Sequence, residues 1–424
     1  MLRVLAITRR PLSSAPRTAV TATGATRAPG AHATDPRLLE FAAKTATPAT
    51  LRELYEVGRA RDAVRAAAFL HAELPIRMAQ RICDLRDLFG DEVADLAAYY
   101  EGAVYELAAT APPTDAATER AFAKTLSALM SDARAVPRAL AAAVRRRNAG
   151  PMAARLSGAA PGAAGGLDAA AWVERLAFDD RLASFFTARV GLRLLVEHYL
   201  ALRDPAAPPG LLAECRPAAV ARDAAGAVVA LARDAYGGAA PAIDVVGDDG
   251  AELTYVPGHM RFALLELLKN AARASVERDP GAAPPPIRVV VADGVEDVTF
   301  KVADEGGGCA RSTRHSMWSW FWSSGASLGA QGGGLGLPLT RCLARYFGGD
   351  LALRPLEGHG TDAYLHLSKL GDRCEALPRA VARSPANSDS TTVRVSEAYA
   401  FFDEHGLDPH REARRRPPPP SVDS

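Results

Sequence analysis

A chain of 424 residues, 48% of them hydrophobic, can bury two cores, while its formal net charge of +1 gives no long-range pull toward nucleic acid or anionic lipid. Charges interrupt every apolar run before it reaches bilayer length, so no membrane span is expected. Five cysteines, Cys83, Cys215, Cys309, Cys342 and Cys374, lie scattered without a Cys-x-x-Cys pair, which argues against a disulfide framework or a structural zinc site and suits a reducing compartment.

The first 34 residues carry Arg3, Arg9, Arg10, Arg17 and Arg27 among Ser, Thr and Ala, with no acid before Asp35. That composition fits a mitochondrial transit peptide and, equally, a basic disordered tail. Residues 51–109, 117–147 and 169–202 are rich in Ala, Leu, Arg and Glu with apolar residues at helical spacing, the pattern of a helical bundle. Between them residues 148–166, rich in Gly, Ala and Pro, read as a flexible insertion. The cluster Asp204-Pro-Ala-Ala-Pro-Pro-Gly210 marks a domain boundary. Residues 217–370 mix helices with alternating strands such as Ile287-Arg-Val-Val-Val291 and Ala363-Tyr-Leu-His-Leu367, as an α/β layer requires. The polar stretch after Lys369 reads as disordered apart from a short helix at 396–404.

Four segments in this second half point to one nucleotide site. In Glu266-Leu-Leu-Lys-Asn270 a carboxylate and an amide four residues apart share one helix face, placing a base beside a metal ligand. Asp304-Glu-Gly-Gly-Gly308 ends the alternating strand Val298-Thr-Phe-Lys-Val302, so a carboxylate can meet an adenine amino group while glycine backbone approaches the ring. Gly332-Gly-Gly-Leu-Gly336 runs into a helix at 337–346 whose first amides suit anionic phosphate. Gly360-Thr361-Asp362 opens a strand and offers a hydroxyl. Each segment alone is more often ordinary punctuation than a nucleotide cradle; their order carries the reading.

That succession resembles the GHKL ATPase fold. The stretch His259-Met-Arg-Phe-Ala-Leu-Leu-Glu266-Leu-Leu-Lys269-Asn270-Ala-Ala-Arg273-Ala narrows the likeness to the mitochondrial 2-oxoacid dehydrogenase kinases, the pyruvate and branched-chain enzymes. Gly336-Leu-Pro338-Leu-Thr-Arg341 with its continuation to Asp350, and Gly358-His-Gly360-Thr361-Asp362-Ala-Tyr364, are also similar to that family. Upstream, Leu70-His-Ala-Glu73-Leu-Pro75-Ile-Arg77 and Thr187-Ala-Arg189-Val-Gly-Leu-Arg193 resemble its N-terminal helices, so the likeness spans roughly residues 40–372.

The resemblance implies a mitochondrial matrix protein with a transit peptide (1–34), a four-helix-type bundle (35–210), a GHKL α/β sandwich (211–372) and a mostly disordered tail (373–424). It implies a serine/threonine kinase that uses ATP with Mg2+, and K+ as a second ion. The kinase would inactivate the E1 alpha subunit of a 2-oxoacid dehydrogenase complex, docking on the lipoyl domain of E2 as a homodimer. In this reading Glu266 is the general base, Asn270 holds the metal and Asp304 reads adenine with Gly306 and Gly308. Gly332, Gly334 and Gly336 form the phosphate-facing hinge, and Thr361 supports the base. Lys269, Arg273, Ser323 and Ser324 stand second in rank, and Trp318, Trp320 and Trp322 read as packing.

Arg189 and Arg193 align with two arginines of the family's oxoacid regulatory pocket, and an intrahelical ion pair is an equal reading of them. The chain departs from the pyruvate type in three places. Phe262 stands one turn before Glu266 where that type has His, Asp132 replaces another His near the regulatory pocket, and no Trp follows Trp322. Two other functions stay in view. A protein-histidine kinase would need His198 as phosphoacceptor, and an ATP-binding pseudokinase scaffold would need lost site residues.

Overall fold

The computed structural model describes residues 35–132, 140, 142–144, 169–204, 210–314, 316–320, 334–369, 371 and 373–377. The segments 1–34 and 148–166, the helix expected at 396–404, and Trp322, Ser323, Ser324 and Gly332 lie outside the described residues.

The N-terminal part is helical. The described helices are α1 (Pro36–Ala42), α2 (Leu51–Ala60), α3 (Ala63–Phe89), α4 (Ala94–Ala108), α5 (Ala116–Asp132) and α6 (Ala169–Leu202). The long apolar-periodic run at 51–109 is broken by local signals. Thr50 and Glu53 form a reciprocal capping box at the start of α2, and Arg61, at φ 48 in the left-handed region, ends it. Asp62 then caps α3 by accepting from the Arg65 N–H at 3.0 Å. α3 is the axis of the bundle, packed against α1, α4, α5 and α6. Leu70, Leu74, Ile82 and Leu85 on it are at most 2% exposed, each contributing about 1.5–3 kcal/mol of burial.

The second part is an α/β sandwich. Strands β2 (Ile243–Gly247), β4 (Ile287–Asp293), β5 (Asp297–Asp304), β6 (Asp350–Leu356) and β7 (Gly360–Ser368) form one sheet in the order β2-β4-β5-β7-β6. The β2–β4 pair is parallel and the other pairs are antiparallel. A separate two-stranded antiparallel sheet joins β1 (Ala213–Cys215) to β3 (Leu253–Tyr255). Helices α7 (Pro217–Ala235), α8 (Pro257–Arg278) and α9 (Gly336–Tyr346) pack on the large sheet. The period of two is plain in β5, where Val298, Phe300 and Val302 are buried while Thr299 and Lys301 on the other face are half-exposed. α8 buries Met260, Ala263, Leu264, Leu267, Leu268, Ala271 and Ala272, which turns Phe262, Glu266 and Asn270 together toward the outer side.

Residues 373–377, at the head of the stretch expected to be mostly disordered, return to the bundle. Cys374 pairs with Thr50, the Glu375 N–H donates to Ala49 O at 2.9 Å, and the Ala376 N–H donates to Tyr346 O at 2.8 Å. A buried carboxylate at Glu375 explains the return, because it must find its partners inside the protein.

Candidate active site

Glu266 and Asn270 stand one turn apart on the half-exposed face of α8. Lys269 Nζ lies 2.5 Å from Glu266 Oε1 and fixes the carboxylate's orientation, a partner that the Lys itself did not betray in the sequence. The other oxygen, Oε2, abuts the start of α9. A side chain at Gly336 would collide with it, so a glycine there lets the helix start meet the carboxylate directly. The first amides of α9, at Gly336 and Leu337, have no intrahelical acceptor, and Pro338 has no N–H to satisfy. Gly334 lies two residues ahead of this helix start.

Asp304 closes β5 opposite Thr361 of β7. Its Oδ1 accepts from the Gly306 N–H at 2.9 Å and from the Thr361 N–H at 3.2 Å, which holds the carboxylate rigidly and leaves Oδ2 to present to a ligand. Burial holds the pKa of Asp304 above the ordinary carboxylate value, opposed in part by these two amides. Gly306 sits against α8, where a Cβ would strike Ala274 and the Ser275 amide. The loop continuing through Gly308 is pinned to the β6–β7 turn by Gly307 N–H to His359 O at 3.0 Å and Gly358 N–H to Gly307 O at 2.9 Å. Arg273 pairs at 3.9 Å with Glu277 further along α8.

These positions border α8 at two points, Gly306 beside Ala274 and Ser275 and the start of α9 at Gly336 beside Glu266, with Asp304 anchored next to the first. That donor set fits a nucleotide with a hard divalent cation. The Asn270 amide oxygen is the kind of single protein ligand that Mg2+ accepts alongside water and phosphate oxygens. Among the described residues no group of three or more His, Cys, Asp or Glu side chains is placed to hold a metal.

In the bundle, Arg189 and Arg193 line a crevice with Leu74, Met78, Tyr100 and Leu192. Arg189 is buried and its Nη1 donates to Tyr100 Oη at 2.8 Å, while Arg193 pairs with Glu197 one turn along α6. Arg193 thus both lines the crevice and carries an intrahelical ion pair. Tyr100 had no signal of its own in the sequence. Asp132 is the last residue of α5, and its side chain lies outside the described residues.

His198 cannot serve as a phosphoacceptor. It is 2% exposed, its Nδ1 accepts from the Leu211 N–H at 3.1 Å, and burial lowers its pKa to about 4. Trp320 stacks on Phe186 of α6 at 4.3 Å between centroids, and its indole Nε1 donates to Asp179 O at 3.0 Å, while Arg341 lies over Trp318 at 4.4 Å. Both tryptophans pack, as expected.

Residues 48–226 match the family model for mitochondrial branched-chain alpha-ketoacid dehydrogenase kinase, and residues 256–370 match that for histidine kinase-, DNA gyrase B- and HSP90-like ATPases. A mitochondrial [pyruvate dehydrogenase (acetyl-transferring)] kinase of Arabidopsis thaliana is 36% identical over 362 residues, covering 78% of this chain and 93% of that protein. The enzyme of the same name from Schizosaccharomyces pombe is 37% identical over 220 residues, 46% of this chain and 51% of that protein. Isozyme 4 from Homo sapiens is 38% identical over 141 residues, 31% and 34% respectively.

Proposed function

Because the chain belongs to the mitochondrial 2-oxoacid dehydrogenase kinase family of the GHKL superfamily, we propose that its α8–α9 face transfers phosphate from ATP to a serine of a dehydrogenase E1 alpha subunit. It is an ATP-using protein serine/threonine kinase of the mitochondrion. One observation supports the assignment of the chemistry most: Glu266, which shares a face of α8 with Asn270, lies directly against the start of α9 at Gly336.

Glu266 receives the proton of the substrate hydroxyl, with Lys269 holding its carboxylate in place. Asn270 is the Mg2+ ligand, and the ion when bound neutralises phosphate charge that would otherwise oppose the approach of an oxygen nucleophile. Asp304, clamped by the Gly306 and Thr361 amides, selects adenine through Oδ2. The amides at Gly336 and Leu337, preceded by the glycines at 332 and 334, hold phosphate oxygens. Such a site works mainly by positioning and charge neutralisation, so the rigidity of these donors matters more than an unusual acidity of any one group.

The acid-free, arginine-bearing first 34 residues support delivery to the matrix, and the relatives' names support a dehydrogenase complex as partner. Docking on an E2 lipoyl domain, a homodimer, and K+ as a second ion belong to this same reading. Among the described residues no helix is long and apolar enough to cross a membrane. Labelled phosphate transfer to purified pyruvate and branched-chain E1 components, tested side by side, decides the substrate. Incorporation into neither would refute the reading.

A further inference from the structure

A buried charged cluster joins the bundle to the last helix of the α/β part. On α3, Glu73 and Arg77 are one turn apart, each 5% exposed, with Arg77 Nε 3.4 Å from Glu73 Oε2. Arg77 turns both terminal nitrogens on Glu375, at 2.9 Å to Oε2 and 2.6 Å to Oε1, while its Nη2 also donates to Thr47 O at 2.6 Å. The Ala49 N–H donates to Glu375 Oε1 at 2.9 Å, and Tyr346 Oη donates to Oε2. Every lone-pair direction of this carboxylate is therefore met by a donor.

Tyr346 is the last residue of α9, and the first residue of that helix, Gly336, abuts Glu266. An 11-residue helix is a rod of roughly 16 Å that moves as one piece, so fixing its far end fixes its near end. A third element presses on the same spot. A Cβ at Gly191 of α6 would collide with the Tyr346 phenol, so helix backbone lies directly against the ring, two residues from Arg189 and from Arg193. Apolar packing around Phe347 and Leu343 tolerates sliding, whereas a bidentate guanidinium and a phenol on one carboxylate tolerate little. A buried ion pair is weak evidence of added stability and is better suited to selecting one arrangement.

We propose that Glu375, Arg77 and Tyr346 are positioning residues for phosphoryl transfer, setting the height of α9 so that its opening amides and Glu266 face the same reacting phosphate. The proposal rests on the kinase reading above. Tyr346→Phe removes one hydroxyl and keeps the ring, and Glu375→Gln keeps shape while removing the charge. With enzyme concentration corrected for the fraction that binds nucleotide, both should lower kcat for transfer by about tenfold to a hundredfold, with Glu375→Asp recovering part of the loss. The KM for the protein substrate should not change. Should Glu375→Gln fail to fold, Tyr346→Phe alone decides. A melting temperature lowered while kcat and the KM for ATP stay at the unmodified values would show that the cluster only stabilises, and would overturn the proposal. Calorimetric ATP binding to the unmodified protein and to Tyr346→Phe keeps the two readings apart. If the unmodified protein transfers no phosphate, the kinase reading fails, while equal ATP affinity and equal transfer in both proteins would refute the cluster's role alone.

Discussion

At the scale of single residues, Glu266 and Asn270 divide the work between transfer and binding, and their substitutions should separate cleanly. Glu266→Gln preserves the shape that meets Gly336 and removes the proton acceptor. ATP affinity should therefore hold in equilibrium binding while transfer falls by about a hundredfold or more. Unchanged transfer would assign the carboxylate a purely structural role beside Lys269. Asn270→Ala should act the other way, weakening nucleotide binding in the presence of Mg2+ far more than in its absence, because the side chain proposed to meet the ion has gone. Titrations with and without the metal check this. The carboxylate of Asp304 and its local Gly306 amide were legible from their place at the end of an alternating strand, but the Thr361 amide on Oδ1 was not, since Thr361 is brought beside it only by the β5–β7 register.

At the scale of elements, α6 carries the regulatory question. Its Arg189 is bonded to Tyr100 and its Arg193 to Glu197, so a carboxylate entering the crevice competes with partners already in place. Pyruvate and halogenated acetates should therefore inhibit weakly. Glu197→Gln, which frees Arg193, should strengthen inhibition in dose-response curves, as should Asp132→His at the end of α5. Potent inhibition of the unmodified enzyme would contradict this. The helices and inner strands were readable because their apolar periods are local: Val298, Phe300 and Val302 alternate, and the buried face of α8 repeats at helical spacing. The short strands β1 and β3 and the parallel edge β2 were not. Three residues cannot display a period, and Ile243–Gly247 interleaves half-buried and exposed positions irregularly because it sits at the sheet's margin. Nor could the breaks at Arg61 and Gly90 be placed within the continuous helical pattern of 51–109, since each depends on one backbone angle.

At the scale of the whole molecule, the buried imidazole of His198 makes stability depend on pH. Its pKa is about 4 in the folded protein against the ordinary 6.5, so the unfolded chain binds the proton more readily. The stabilisation is complete above about pH 6.5 and is lost as pH falls toward 4, amounting to about 2 kcal/mol between pH 7 and pH 5. Burial lowers the pKa of His259 to about 4 as well, so chemical denaturation at several pH values should show a slope of which His198→Gln removes only the His198 part.

The clasp on Arg77 has a second consequence, in time rather than space. Arg77 and Glu375 are 298 positions apart, so a chain emerging or crossing a membrane from its N-terminus presents α3 long before the acid that completes it. Until residue 375 arrives, Glu73 is the one other carboxylate among the described residues paired with Arg77, and the Ala49 N–H lacks the acceptor it has in the finished fold. The contact between the bundle and the nucleotide part is thus completed only once residue 375 is made, and a chain cut short within β7 leaves that seam unfinished for quality-control proteases to find.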